Sequence, residues 1–564
     1  MRLTKKRLRQ TDLFVFALIF VATLLRLALI YFHWPVTNSD EGNMGLLARH
    51  VAYNGEWPIF FYGLPYMGPV EGYIAAPLFH LFGPSTFTLR LGLLLFFFLF
   101  LICMYYLTRL LFTQWMAVFI VVLFCFGSDD IISRQVKAVG EYPELLFFAA
   151  FISCVAVWLV LSSSSTDRQK RTTLGRIFIY GMLGLVAGIA IWVDFLILPF
   201  VATAIALLLL FRVRELLSWA GLSLVAGLLI GILPLLNYNI SAPPGQNSLQ
   251  VLLNLHRGAS ADHIPFLRQV VGTLMIGIPN ATGFTPRCPI ENFPFFGTAN
   301  AQCIILQGGW GIGYLILWLT ATILAVVAIL RLWKGHTFLH PAWSFEERQT
   351  LMRQCCQLML LINAMGTILL YVSSTDPAIF PEATSRYLEC VLVALPVTLW
   401  PLWKGLSAWR PGENWWTATS AIVSGSLLLL LLFMFMRGTF NTLQEIPGVQ
   451  TAYQQQDLMV QKLLSVGATR IYSDYWTCNR ITFQSEEKII CSALDEQLNP
   501  DFDRYIKYRY IVRADPHPTY AFQQGTRDIT KLDARMKHDK RFGATYRRLI
   551  FENYVIYAYA GSAA

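Results

Sequence analysis

The chain has 564 residues, of which 55% are apolar and 14% charged, and its mean hydropathy is +0.50. A soluble surface needs about a quarter of its residues charged, so a wholly soluble protein is excluded. The net charge of +10 comes from short Lys and Arg clusters between apolar runs, which is the pattern of membrane topology and not of a nucleic-acid binder.

An α-helix needs about 20 apolar residues to cross the hydrocarbon layer. That rule predicts spans near 13–33, 87–107, 111–127, 144–161, 174–193, 195–211, 217–236, 308–330, 355–372, 387–403 and 416–437, eleven in all. The third and fourth are short, the mark of broken or tilted helices, and only Asp194 and Pro199 divide the fifth from the sixth. The opening MRLTKKRLRQ is basic, as are the gaps holding Arg109, residues 167–176, 212–215, 331–334 with Arg348 and Arg353, and Lys404 with Arg410. Counted from the N-terminus, all of these gaps fall on one side. Short basic loops stay in the cytoplasm, so the N-terminus is predicted inside and residues 438–564 outside. The first helix has a long apolar stretch and no small-x-small site before Trp34, so it reads as a retained span.

The exterior side receives loops at 34–86, 128–143, 237–307 and 373–386, and the tail. In the first loop, Asn38, Ser39 or Asp40 caps a short helix through Met44–Asn54, with Glu41 in its first turn and Gly55 as its stop. Pro65, Gly68 and Pro69 break the chain before YIAAPLFHLFG, a second amphipathic piece. The tail reads as a small α/β domain. It has a helix over 451–467 closed by Gly467, strand-like segments at 468–476, KIICSAL and KYRYIVRAD, and alternating aromatics over 546–560. Two domains follow: a membrane region, 1–437, and an extracytoplasmic α/β domain, 438–564.

Six of the ten cysteines lie in or near spans and serve as apolar packing residues. Cys288 and Cys303 share one exterior loop, and Cys478 and Cys491 share the tail; two disulfides are expected on the oxidising side. Charged residues gather at exterior helix ends: Arg26, Asp40, Glu41, Glu71, Arg90, Arg134, Lys137, Glu141, Glu144, Asp194, Asp376, Glu382, Arg386 and Glu389. Ionisable groups at membrane depth are costly and usually functional. A polar cavity at the exterior surface suits a substrate that is half lipid. Arg134, Lys137 and Arg386 would hold a phosphate while its hydrocarbon tail stays between helices. The carboxylates would deprotonate a hydroxyl or hold a divalent ion.

The run Asp40-Glu41, Gly55-Glu56-Trp57-Pro58 and Gly63-Leu64-Pro65-Tyr66 resembles the C-type glycosyltransferase superfamily. Within it, the chain resembles the bacterial lipid-linked-sugar enzymes related to protein O-mannosyltransferases and the aminoarabinose transferase of lipid A. Where that family often has Glu-Lys-Pro-Pro, this chain has Met67-Gly68-Pro69-Val70-Glu71. Softer matches are Gly188–Trp192, Gly231 and Pro234 before Asn237-Tyr238-Asn239, and Arg386-Tyr387-Leu388. The likeness covers roughly residues 10–400, with 38–66 its most specific part.

The resemblance implies an α-helical polytopic membrane enzyme. It would transfer a monosaccharide from a polyprenyl-phosphate donor to a lipid, glycan or protein acceptor at the outer face of the inner (plasma) membrane, with inversion. Asp40 is the expected base. Glu41, Glu141 and Glu144 are secondary acids, Arg386 with Arg134 or Lys137 binds lipid phosphate, and Trp57, Tyr66 and Glu71 line the substrate loop. A divalent ion, Mg or Mn, on Asp40 and Glu141 is the alternative use of those acids. No nucleotide-sugar fold or nucleic-acid partner is expected, and the protein is expected to be a monomer. A transporter or a non-enzymatic scaffold is the rival reading; no repeat between halves, the large exterior domain and the asymmetric charge argue against the transporter.

Overall fold

A computed structural model describes residues 10–162, 174–259, 264–285, 301–334, 344–409 and 414–561. Among the described residues, ten helices are long and apolar enough to cross a membrane: Gln10–Tyr31, Thr86–Leu111, Tyr142–Leu161, Leu174–Val193, Phe195–Leu216, Trp219–Ser241, Ile305–Trp333, Phe345–Val372, Pro381–Ala408 and Trp415–Ser465. The third predicted span is the bent pair Gln114–Cys125 and Asp129–Val136, 84° apart, which makes eleven if counted as one. Phe126 is extended at the break, and the Gly127 N–H freed there donates to Thr439 Oγ1 at 3.0 Å. The fourth is an unbroken helix of 20 residues. Asp194 divides the fifth from the sixth by accepting the Leu196 N–H at 2.6 Å. The chain is a multi-pass membrane protein.

The chain forms two compact units. The first comprises Met1–Leu25, Leu95–Gln135 and Tyr142–Thr442. Within it, helices Leu174–Val193 and Trp219–Ser241 meet backbone to backbone: a Cβ on Gly188 would lie 2.3 Å from Leu228 O, and one on Gly231 the same distance from Leu185 O. Such close approach gives apolar helices van der Waals contact that lipid cannot replace.

The second unit comprises Arg26–Leu94, Val136–Glu141 and Leu443–Ala564, so the first exterior loop folds with the tail. Asn38 caps the loop helix Ser39–Arg49 by accepting from Glu41 N; a π-helical turn, His50–Asn54, follows and ends at Gly55 with φ +66°. That helix lies on the tail helix Tyr475–Gln484. A Cβ on Gly42 would fall 2.7 Å from the Asn479 and Arg480 backbone, so only glycine permits this contact.

The tail carries a mixed sheet of order β2-β1-β3-β5-β4. Its strands are β1 (Arg470–Ser473), β2 (Ile490–Ala493), β3 (Thr519–Gln523), β4 (Tyr546–Phe551) and β5 (Tyr554–Tyr559). β1 runs parallel to β2 and β3, while β5 is antiparallel to β3 and β4. The alternating aromatics over 546–560 form the β4–β5 hairpin. KYRYIVRAD is a helix, Lys507–Arg513, and not a strand: it buries Tyr508 and Val512, which are i and i+4 neighbours on one helical face. The helix expected over 451–467 is the end of a 51-residue helix, Trp415–Ser465, which stops before Gly467 with φ +71°. Cys478 and Cys491 are disulfide-bonded, with Cα atoms 5.1 Å apart, joining helix Tyr475–Gln484 to β2. The other expected bridge, Cys288–Cys303, involves Cys288, which lies outside the described residues.

Candidate active site

In the second unit, Asp40 stands in the first turn of the helix that Asn38 caps. Its Oδ1 accepts from the Tyr475 hydroxyl at 2.5 Å and from Arg504 Nη2 at 2.7 Å. Arg504 Nε donates in turn to the Tyr475 oxygen at 2.6 Å, closing a ring of three bonds. The Asp40 side chain keeps 14% of its exposure, and among the described residues Oδ2 takes no hydrogen bond. A carboxylate held by one oxygen and free at the other suits proton acceptance.

Glu41 points elsewhere. It is 1% exposed, and its two oxygens accept from Arg90 Nε at 2.7 Å and Arg90 Nη2 at 2.6 Å. Oε1 also takes the Ala138 N–H at 3.1 Å, and Arg90 donates to the carbonyls of His33 and Pro35 at 3.1 and 2.8 Å. Burial pushes the Glu41 carboxyl up, but the Arg90 guanidinium outweighs it and holds the group below the ordinary carboxylate range. Glu71, also 1% exposed, accepts the Gly140 N–H at 2.9 Å. These two acids tie the 136–141 segment to the first loop. Lys137, on that segment, has Glu41 and Asp40 as charged neighbours, with Arg90 and Arg480; burial pushes its amine down to about 8. Glu141 is buried with φ +69°, a strained backbone for a side chain of its type.

In the first unit, Arg134 is buried and donates to Ser385 Oγ at 2.8 Å, with Asp130 at 3.9 Å. Arg386 lies on a ten-residue 3₁₀ stretch, Ser385–Ala394, and its guanidinium stands 5.4 Å from the Tyr142 ring centroid and 5.3 Å from that of Tyr387. So long a 3₁₀ run is unusual and often marks a functional segment. Glu144 and Glu389 are buried, and Arg134 and Glu144 are charged neighbours of Glu389. Of the expected phosphate cations, Arg134 and Arg386 thus belong to the first unit, while Lys137 accompanies the acids of the second. The first unit also has a half-open apolar cavity of about 710 Å³, lined by Phe284, Trp310, Tyr314, Leu399, Leu431 and Met434 among others.

Of the remaining loop residues, Trp57 is 71% exposed and stacks on Tyr73 at 5.8 Å, and Tyr66 is half-buried. Arg504 sits on Asp40 Oδ1, and the described residues contain no group of three or more His, Cys, Asp or Glu placed to hold a metal ion. Sequence reasoning missed Tyr475 and Arg504. The only signal was local, the dense aromatic and charged runs SDYW and DFDRYIKYRY in the tail.

No protein-family model and no curated protein matches the chain. Among solved structures, it is similar to ArnT from Cupriavidus metallidurans bound to undecaprenyl phosphate, with 13% identity, TM-score 0.54, and coverage of 98% of this chain and 99% of that one. Against ArnT from Cupriavidus metallidurans in the apo state the identity is 11% and the TM-score 0.55, over 97% of each chain. A lesser likeness, with 13% identity and TM-score 0.48, covers 94% of this chain and 70% of the Archaeoglobus fulgidus oligosaccharyltransferase. The chain shares the fold of ArnT along nearly its whole length.

Proposed function

We propose that the protein transfers a monosaccharide from a polyprenyl-phosphate donor to an acceptor hydroxyl at the extracytoplasmic membrane face, with inversion. The observation that carries this reading is Asp40: a partly exposed carboxylate at a capped helix start, anchored through one oxygen, in a chain with the fold of an enzyme bound to undecaprenyl phosphate. The acceptor oxygen attacks the anomeric carbon while its proton passes to Asp40 Oδ2. The bond from that carbon to the phosphate oxygen breaks, and its electron pair leaves on the lipid phosphate. Arg386 and Arg134 stabilise the departing phosphate, for which a planar guanidinium is well shaped. Glu41 and Glu71 act as supports, and Glu141 and Glu144 as secondary acids.

The distribution of basic clusters supports an N-terminus in the cytoplasm and a 438–564 domain outside the inner membrane, and the Cys478–Cys491 bridge agrees with an oxidising exterior. The protein acts as a monomer. The test is a purified protein supplied with synthetic polyprenyl-phosphate sugars and an acceptor extract. The expected result is donor-dependent release of polyprenyl phosphate together with a glycosylated product of inverted anomeric configuration. Release of no lipid phosphate from any donor, or a retained configuration, would overturn the proposal.

A further inference from the structure

We propose that Arg504 and Tyr475, both from the C-terminal segment, are positioning residues that fix the Asp40 carboxylate and hold it ready to accept a proton. This rests on the base role given to Asp40 above. The geometry is a closed ring: Arg504 Nη2 to Asp40 Oδ1 at 2.7 Å, Tyr475 hydroxyl to the same oxygen at 2.5 Å, and Arg504 Nε to Tyr475 at 2.6 Å. Both bonds to Asp40 fall on one oxygen, so the free lone pairs of Oδ2 point in a set direction.

Each partner is itself held. Tyr475 opens helix Tyr475–Gln484, which Asp474 caps by accepting the Thr477 N–H at 3.1 Å. Arg504 follows Asp503, whose carboxylate takes the Ala493 N–H at 2.8 Å, the Ser492 hydroxyl at 2.9 Å and Arg509 Nε at 2.8 Å. The Arg504 guanidinium is boxed by the rings of Phe61 at 5.2 Å and Phe502 at 5.5 Å. Gly63, with φ +78°, lets the first loop close on this point; a Cβ there would fall 2.9 Å from Phe502 and 3.3 Å from the Arg504 Cα. A surface ion pair needs no such housing.

The division of labour follows from chemistry. The guanidinium and the phenol both donate to the same oxygen, which fixes the orientation of the carboxylate. Burial, then the neighbouring Asp40 charge, pushes the Tyr475 hydroxyl above its ordinary value, so it stays a donor and does not compete for the proton. As the acceptor hydroxyl attacks, its proton moves to Oδ2, Asp40 becomes a neutral acid, and the ring keeps its orientation through the step.

The experiment measures kcat, donor KM and direct donor binding for Arg504→Met, Arg504→Lys, Tyr475→Phe, Asp40→Asn and the Asp40→Asn/Arg504→Met pair. Arg504→Met should lower kcat by about tenfold or more and Tyr475→Phe by a few-fold, with donor binding within twofold of wild type. Arg504→Lys should recover part of the loss, since it restores charge without the fork. In the Asp40→Asn background, Arg504→Met should cost nothing further, because its effect runs through the Asp40 charge. A clamp that merely joins tail to loop would lower donor binding and kcat together and by the same factor in both backgrounds; that result, or a wild-type kcat in Arg504→Met, would overturn the inference. If Asp40→Asn alone keeps near-normal turnover, the base assignment falls. If it is inactive while Arg504→Met is fully active, only the positioning role falls.

Discussion

Removing Arg90 while leaving Glu41 in place isolates one buried ion pair. Both side chains are 1% exposed, and the guanidinium supplies two bonds to Glu41 and two to backbone carbonyls. In Arg90→Met the carboxylate loses both guanidinium bonds and keeps the Ala138 N–H at 3.1 Å and the Thr37 side chain as donors, with Lys137 as a charged neighbour. Breaking a buried pair on one side typically costs about 3–5 kcal/mol, because a charge loses its main compensation. For a unit of this size that corresponds to a fall of roughly 6–20 °C in Tm. The double change Arg90→Met/Glu41→Gln removes the stranded charge and should recover most of the loss. The pH dependence follows from the lowered Glu41 pKa. Its contribution is complete above the ordinary carboxylate range and is lost as pH falls through the folded-state value, so the gap between wild type and Arg90→Met should narrow in acid. Thermal-shift curves of detergent-purified protein at neutral and acid pH read all of this. An Arg90→Met Tm within a degree or two of wild type, or a double variant no better than the single, would refute the reasoning.

Gly42→Ala should destabilise the packing of the loop helix on helix Tyr475–Gln484 by about 1–3 kcal/mol, since the new Cβ meets backbone at 2.7 Å; protease sensitivity of the tail reports it. Reducing or replacing the Cys478–Cys491 bridge, which closes a separation of 13 residues, should cost about 3 kcal/mol, read as a lower Tm with reductant in wild type and none in Cys478→Ser/Cys491→Ser. Arg386→Lys should weaken use of a polyprenyl-phosphate donor several-fold while expression and Tm hold, as a lysine cannot reproduce the guanidinium fork; unchanged donor KM would remove Arg386 from the phosphate site.

What could be read early was whatever a short stretch of chain decides by itself. The Asn38 cap, the Gly55 stop, the break at Asp194 and the end before Gly467 all depend on side chains within a few residues of the backbone they satisfy. The segment 507–513 misled because Tyr508, Tyr510 and Val512 alternate as a strand would, while the burial that decides its conformation, Tyr508 with Val512, has helical spacing. The partners of Asp40 were beyond reach for a different reason. Tyr475 and Arg504 lie 435 and 464 positions away in the chain, and nothing local to either announces a carboxylate opposite. The long helix that ends at Ser465 likewise reads as two separate helices in the sequence, because its polarity changes along its length while its backbone does not.

The central claim is that Asp40 takes the proton from the acceptor hydroxyl. Its most direct test is single-turnover transfer from a synthetic polyprenyl-phosphate sugar by wild type and Asp40→Asn, with donor binding measured on the same preparations. Asparagine keeps the shape and an oxygen for Tyr475 and Arg504 but offers no base, so transfer should slow by about 10²–10⁴-fold while donor binding stays within twofold. Near-normal transfer by Asp40→Asn, at equal donor occupancy, would contradict it.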